Sequence, residues 1–113
     1  MMAMTVRATP LVLTIGHRIR QCRKARGLTQ AQVSARCAQS GSFEPTQYAI
    51  GQLERGERLD ITVRELLALA LALDVSPADL LTDGDPIQIT DTVTVASEHM
   101  RGWLAGKPLR KSA

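Results

Sequence analysis

The 113-residue chain carries a formal net charge of +3, is 44% apolar, and has one each of Trp, Tyr and Phe. That suits a single domain with short tails and an aliphatic core. It excludes membrane-spanning helices, because no apolar run approaches the ~18–20 residues a bilayer requires, and Leu11-Val-Leu13 is too short for a secretory signal core, which points to the cytoplasm.

Residues 1–10 read as a flexible arm ending at Pro10. A first helix is predicted from about Thr14 to Arg26, with Ile15, Ile19 and Cys22 on one face and Gly27 as its stop. Thr29-Gln-Ala-Gln32 has the form of a capping box, so a second helix starts there with Val33 and Cys37 inward. Residues 39–46 are turn material. Pro45 cannot sit inside a helix and Thr46 can cap the next one. A third helix is predicted from about Gln47 to Arg55, stopped by Gly56. Thr62-Val-Arg-Glu65 is another capping box, opening an apolar helix through Leu73 that belongs in the middle of a small core. Ser76-Pro-Ala-Asp79 starts a fifth, short helix ending near Leu81. Beyond the Asp83-Gly-Asp-Pro86 turn, Ile87, Ile89, Val93 and Val95 alternate with polar residues, with a slip around Asp91. This strand pattern needs a partner, either the N-terminal segment or the same strand of a second subunit. Ser97 is placed to cap a last short helix bearing Met100, Trp103 and Leu104, and residues 107–111 form a basic tail.

The third helix carries the functional signal. Ile50 and Leu53 face inward, while Gln47, Tyr48, Gly51, Gln52 and Arg55 line the other side at helical spacing. Glutamine and arginine can fork onto base edges. Charge is unevenly placed. Residues 1–43 contain seven Lys/Arg and no Asp/Glu, whereas residues 44–98 contain three against eleven. A basic front half suits a polyanion through counterion release, although a charge run is often only a solvated face. Cys22 and Cys37 lack metal-ligand spacing and read as buried residues where the first two helices meet. His17 and His99 are isolated, and no nucleophile motif, phosphate-binding glycine loop or metal spacing is present. The sequence therefore predicts a protein that is not an enzyme and needs no cofactor.

These features, notably Ile15-Gly-His-Arg-Ile-Arg20, Arg23-Lys-Ala-Arg-Gly-Leu-Thr-Gln30, Ile50-Gly-Gln-Leu-Glu-Arg-Gly56 and Leu66 through Leu81, resemble the lambda-repressor/Cro-like (XRE) helix-turn-helix family. The resemblance implies a mainly α fold: a five-helix helix-turn-helix domain over residues 11–84, with a short β/helix extension at 85–113. It implies base contacts from Gln47, Tyr48, Gly51 and Gln52, and phosphate contacts from Gln30, Thr46, Arg55, Arg58 and Arg64. It also implies a structural ion pair between Arg23 and Glu54. The stretch 38–45 is longer than the family's turn, so the second helix runs on or a loop intervenes, with Phe43 as a candidate anchor and Ser40 or Ser42 near a phosphate. The expected function is a DNA-binding transcriptional regulator acting on double-stranded DNA as a homodimer through residues 87–104. The alternative is a protein-interaction or antitoxin-like module on the same fold.

Overall fold

The computed structural model describes residues 8–41 and 45–109. Arg7, Ser42, Phe43 and the cations Arg110 and Lys111 lie outside them. The first helix, α1, spans Leu11–Ala25 and so begins before the predicted Thr14. Pro10, which has no N–H to satisfy, turns the chain from a strand directly into this helix. Leu11 and Val12 thereby pack on the core. Its end is a glycine stop, Gly27 at φ +67°.

Three capping boxes set the next helix starts. The Thr29 hydroxyl accepts from Gln32 N at 3.1 Å, and the Gln32 carboxamide accepts from Thr29 N at 2.8 Å, opening α2 (Gln30–Gln39). Thr62 and Glu65 do the same at 3.0 Å in both directions for α4 (Val63–Leu73). Ser76 and Asp79, with Pro77 in the first turn, open α5 (Pro77–Leu81). Each such cap contributes about 1 kcal/mol. Between α2 and α4 lies α3 (Gln47–Glu54), capped by Thr46.

The core is built from Ile15, Ile19, Val33, Ile50, Leu53, Leu69, Leu73 and Leu80, all within 1% of full burial. α1 packs on α3 and α5, and α2 packs on α3 and α4. Cys22 and Cys37 are buried and free, but α2 packs chiefly on α4 and α3 rather than on α1. The Cys37 thiol instead donates to the Ala68 carbonyl of α4 at 3.7 Å, and burial pushes its pKa up. Nor is α4 enclosed all round. Val63, Leu67 and Leu71, at i, i+4, i+8, leave one ridge open to solvent.

The strand pattern finds its partners within the chain. β1 (Thr9–Pro10) pairs in parallel with β2 (Ile87–Thr90), Thr9 opposite Ile87 and Pro10 opposite Gln88. β2 pairs antiparallel with β3 (Val93–Val95), and the slip at Asp91 is the hairpin turn, where the Thr90 hydroxyl accepts from Thr92 N and Val93 N. Thr9 and Pro10 are thus strand residues rather than part of a loose arm. β2 is central, with β1 against Ile87 and Gln88 and β3 along its other edge, so the strand pattern has partners within the chain. The chain closes with α6 (Ser97–Leu104). Its cap residue is Ala96, not Ser97. The Ser97 hydroxyl donates to the Asp85 carbonyl at 2.7 Å and accepts from Gly84 N at 3.2 Å, tying the helix to the preceding turn. Ile87, Val95 and Met100 join the main core, so β2, β3 and α6 pack on it.

Candidate nucleic-acid interface

α3 is short, and its placement rests on both ends. At its entry Pro45 is buried, and its carbonyl accepts from the Ser34 hydroxyl of α2 at 3.2 Å. The chain between α2 and α3 is therefore anchored at Pro45, while Phe43, the anchor expected from sequence, lies outside the described residues. The lengthened stretch is taken up partly by α2 running on to Gln39 and by a turn at Ser40 and Gly41. The Thr46 hydroxyl accepts from Ala49 N at 3.2 Å. At its exit Gly56 adopts φ +74°, and Glu57 N donates back to the Gln52 carbonyl at 2.9 Å.

Ile50, Leu53 and Glu54 point inward. Arg23 of α1 donates through Nε and Nη2 to the two Glu54 carboxylate oxygens, each at 2.7 Å, and through Nη1 to the Leu28 carbonyl at 2.9 Å. The side chains retain only 13% and 3% of their exposure. Gln30, first residue of α2, adds Nε2 to Glu54 Oε1 at 3.2 Å. A carboxylate with three donors fixes the C-terminal end of α3 to both α1 and α2. Gly16 of α1, to which the sequence reading gave no role, makes that contact close. A Cβ there would fall into the Leu53 carbonyl and lie 2.9 Å from its carbon. A glycine interrupting a helical pattern was the available signal.

On the outer side, Gln30, Thr46, Gln47, Tyr48, Gly51 and Arg55 line one open groove of about 490 Å³. Tyr48 stands 71% exposed, a large apolar ring held in water. Gln52 is half-buried and lies outside this set. Gly51 is buried rather than presented. A Cβ there would come 2.8 Å from Arg55 Nη1 and 3.3 Å from Gln30 Oε1, so these two side chains roof the backbone.

The arginines expected at phosphates divide. Arg55 forks onto Glu57, Nε to Oε2 at 2.7 Å and Nη2 to Oε1 at 3.1 Å, with both side chains about half exposed. That contact draws the Glu57 carboxyl below the usual carboxylate range. Arg58 forks onto Glu65 at 3.0 and 2.9 Å, with Glu65 only 7% exposed. The guanidinium holds the Glu65 carboxyl below its ordinary pKa. Arg64 is exposed on the first turn of α4, outside the groove. Several cations of the basic front half also have internal work. Arg18 donates to the Asp79 carbonyl at 2.6 Å, Arg26 to the Asp74 carbonyl at 2.9 Å and Arg36 to the Ala72 carbonyl at 3.1 Å. These bonds tie α1 and α2 to the ends of α4 and α5. Arg20 and Lys24 are exposed on α1.

Among the described residues no three His, Cys, Asp or Glu side chains are grouped as a metal site, and no helix is long and apolar enough to cross a membrane. A short capped helix held on its inner face by a buried ion pair, and offering amides and a phenol outward, is the arrangement of a helix-turn-helix domain. The structure is similar to the solved restriction-modification controller protein C.AhdI from Aeromonas hydrophila, with 32% sequence identity and a TM-score of 0.52. The match covers 61% of this chain and 94% of that one, and this chain belongs to the family of that controller protein. No protein-family profile and no curated protein matches the chain.

Proposed function

We propose that the protein is a sequence-specific, DNA-binding transcriptional regulator of the lambda-repressor/Cro-like type, reading the major groove with α3 as a homodimer in the cytoplasm. The observation that carries this is the groove over α3, where Gln30, Thr46, Gln47, Tyr48 and Arg55 converge above a helix pinned from behind by Arg23 and Glu54. Gln47 and Gln52 are proposed to fork onto adenine edges, with Tyr48 against a neighbouring base or sugar. Gln30 and Thr46 stand at helix starts, where N–H groups favour a phosphate. Arg55 and the exposed Arg64 are proposed to meet the backbone, and Arg58 to serve the scaffold. The relative's role as a controller supports a regulatory rather than catalytic role here.

An eight-residue helix reads few base pairs, so two subunits on half-sites about one helical turn apart are part of the proposal. The 87–104 segment offers Val93, Trp103 and Leu104 as exposed apolar contacts, and the α4 ridge offers Val63, Leu67 and Leu71. The test is duplex binding measured across salt concentrations. Log affinity should fall linearly with log salt, at about 0.9 per phosphate neutralised. Binding that is absent, or insensitive to salt, contradicts the reading.

A further inference from the structure

Among the described residues that line the α3 groove Arg55 is the cation, and in the structure it is already occupied. Both its bonds are to Glu57, in the two-pronged geometry with which a guanidinium grips a phosphate. The carboxylate is not there by the accident of a floppy chain. Gly56 turns the backbone at positive φ and Glu57 N closes on the Gln52 carbonyl, so the stop of α3 itself aims the side chain at Arg55. Helix stability does not explain the choice of residue. A negative charge beyond a helix C-terminus is opposed by the helix dipole. An ion pair with both partners half exposed contributes little.

We propose that Glu57 is an internal competitor for the phosphate site of Arg55, a residue that sets how readily the groove accepts any nucleic acid backbone. This rests on the DNA-binding reading above. In the free protein the carboxylate occupies the guanidinium and draws it over Gly51, covering the backbone there. A phosphate must displace the carboxylate, which is then left facing a polyanion. Sequence-independent binding is thereby held down, and the groove opens over Gly51 in the same movement.

The experiment compares wild type, Glu57→Gln, Arg55→Gln and the double variant on a random-sequence duplex and on heparin, across salt. Glu57→Gln is expected to bind the duplex about three- to tenfold more tightly at low salt, with a salt slope steeper by about one phosphate contact. It should also elute later from heparin. The gain must vanish when Arg55 is absent. A gain of the same size in the Arg55→Gln background is a general charge effect and overturns the proposal, as does no gain at all. If no variant binds the duplex but Glu57→Gln still elutes later from heparin in an Arg55-dependent way, the competition stands and the DNA reading falls. If neither ligand responds, both fall.

Discussion

Replacing Glu54 by Gln preserves shape and removes one charge from the pair that holds α3. The structure sets the magnitude. Glu54 is 3% exposed and accepts two 2.7 Å bonds from Arg23, itself 13% exposed. Breaking a buried pair by removing one partner costs ~3–5 kcal/mol, because the other charge is left uncompensated. Arg23 keeps its bond to the Leu28 carbonyl and a little water, which places the loss near the lower end, about 3 kcal/mol. Against a total of ~5–15 kcal/mol for a domain, that is a large fraction, and it corresponds to a fall in Tm of roughly 10–15 °C. Urea unfolding followed by circular dichroism reads the difference. The double variant Arg23→Met, Glu54→Leu should recover most of the stability, since an apolar pair of similar volume avoids the desolvation penalty. It should nonetheless bind DNA poorly, because the link from Gln30 to Glu54 is gone. A loss below about 1 kcal/mol for Glu54→Gln would refute the claim that this pair fixes the helix.

Gly16→Ala forces α1 and the end of α3 apart and should cost about 1–3 kcal/mol as an overpacked contact. Amide chemical shifts should change in α3 as well as α1, and perturbation confined to α1 would contradict the close approach. Because Arg58 lowers the Glu65 pKa in the folded state, the stability from this pair is fully present above the unfolded carboxylate value of about 4.3 and is lost as pH falls through the lower folded value. Acid unfolding should accordingly be shallower in Glu65→Gln than in wild type, and equal acid limbs would show that the pair does not titrate with folding. Sedimentation should find a dimer that weakens in Trp103→Ser, Leu104→Ser. An unchanged dimer that instead dissociates in Leu67→Glu, Leu71→Glu moves the interface to the α4 ridge.

Local chemistry was the legible part of the sequence. The Thr29/Gln32, Thr62/Glu65 and Ser76/Asp79 pairs are short-range devices, and each starts a helix as its spacing requires. The glycine stops at 27 and 56 are equally local. What the sequence hid was long-range. The N-terminal segment was one of two partners open to the strand pattern, but nothing near Ile87 sets its parallel register with Thr9, and nothing near Gly16 says that a carbonyl of α3 lies against it. The ion pair of Arg58 was hidden as well, because its acid partner, Glu65, stands on the far side of a loop and doubles as part of a capping box. The front-half arginines read as a charged surface, yet three of them hold main-chain carbonyls at least 36 positions away.

The most direct test of the central claim is selection of bound duplexes from a random pool, run in parallel with wild type and a Gln47→Ala, Gln52→Ala double variant. The account predicts that wild type enriches a two-fold symmetric motif and that the variant loses or relaxes it at fixed positions in each half-site. Enrichment of no motif by wild type, with the variant binding equally well, would contradict base reading by α3.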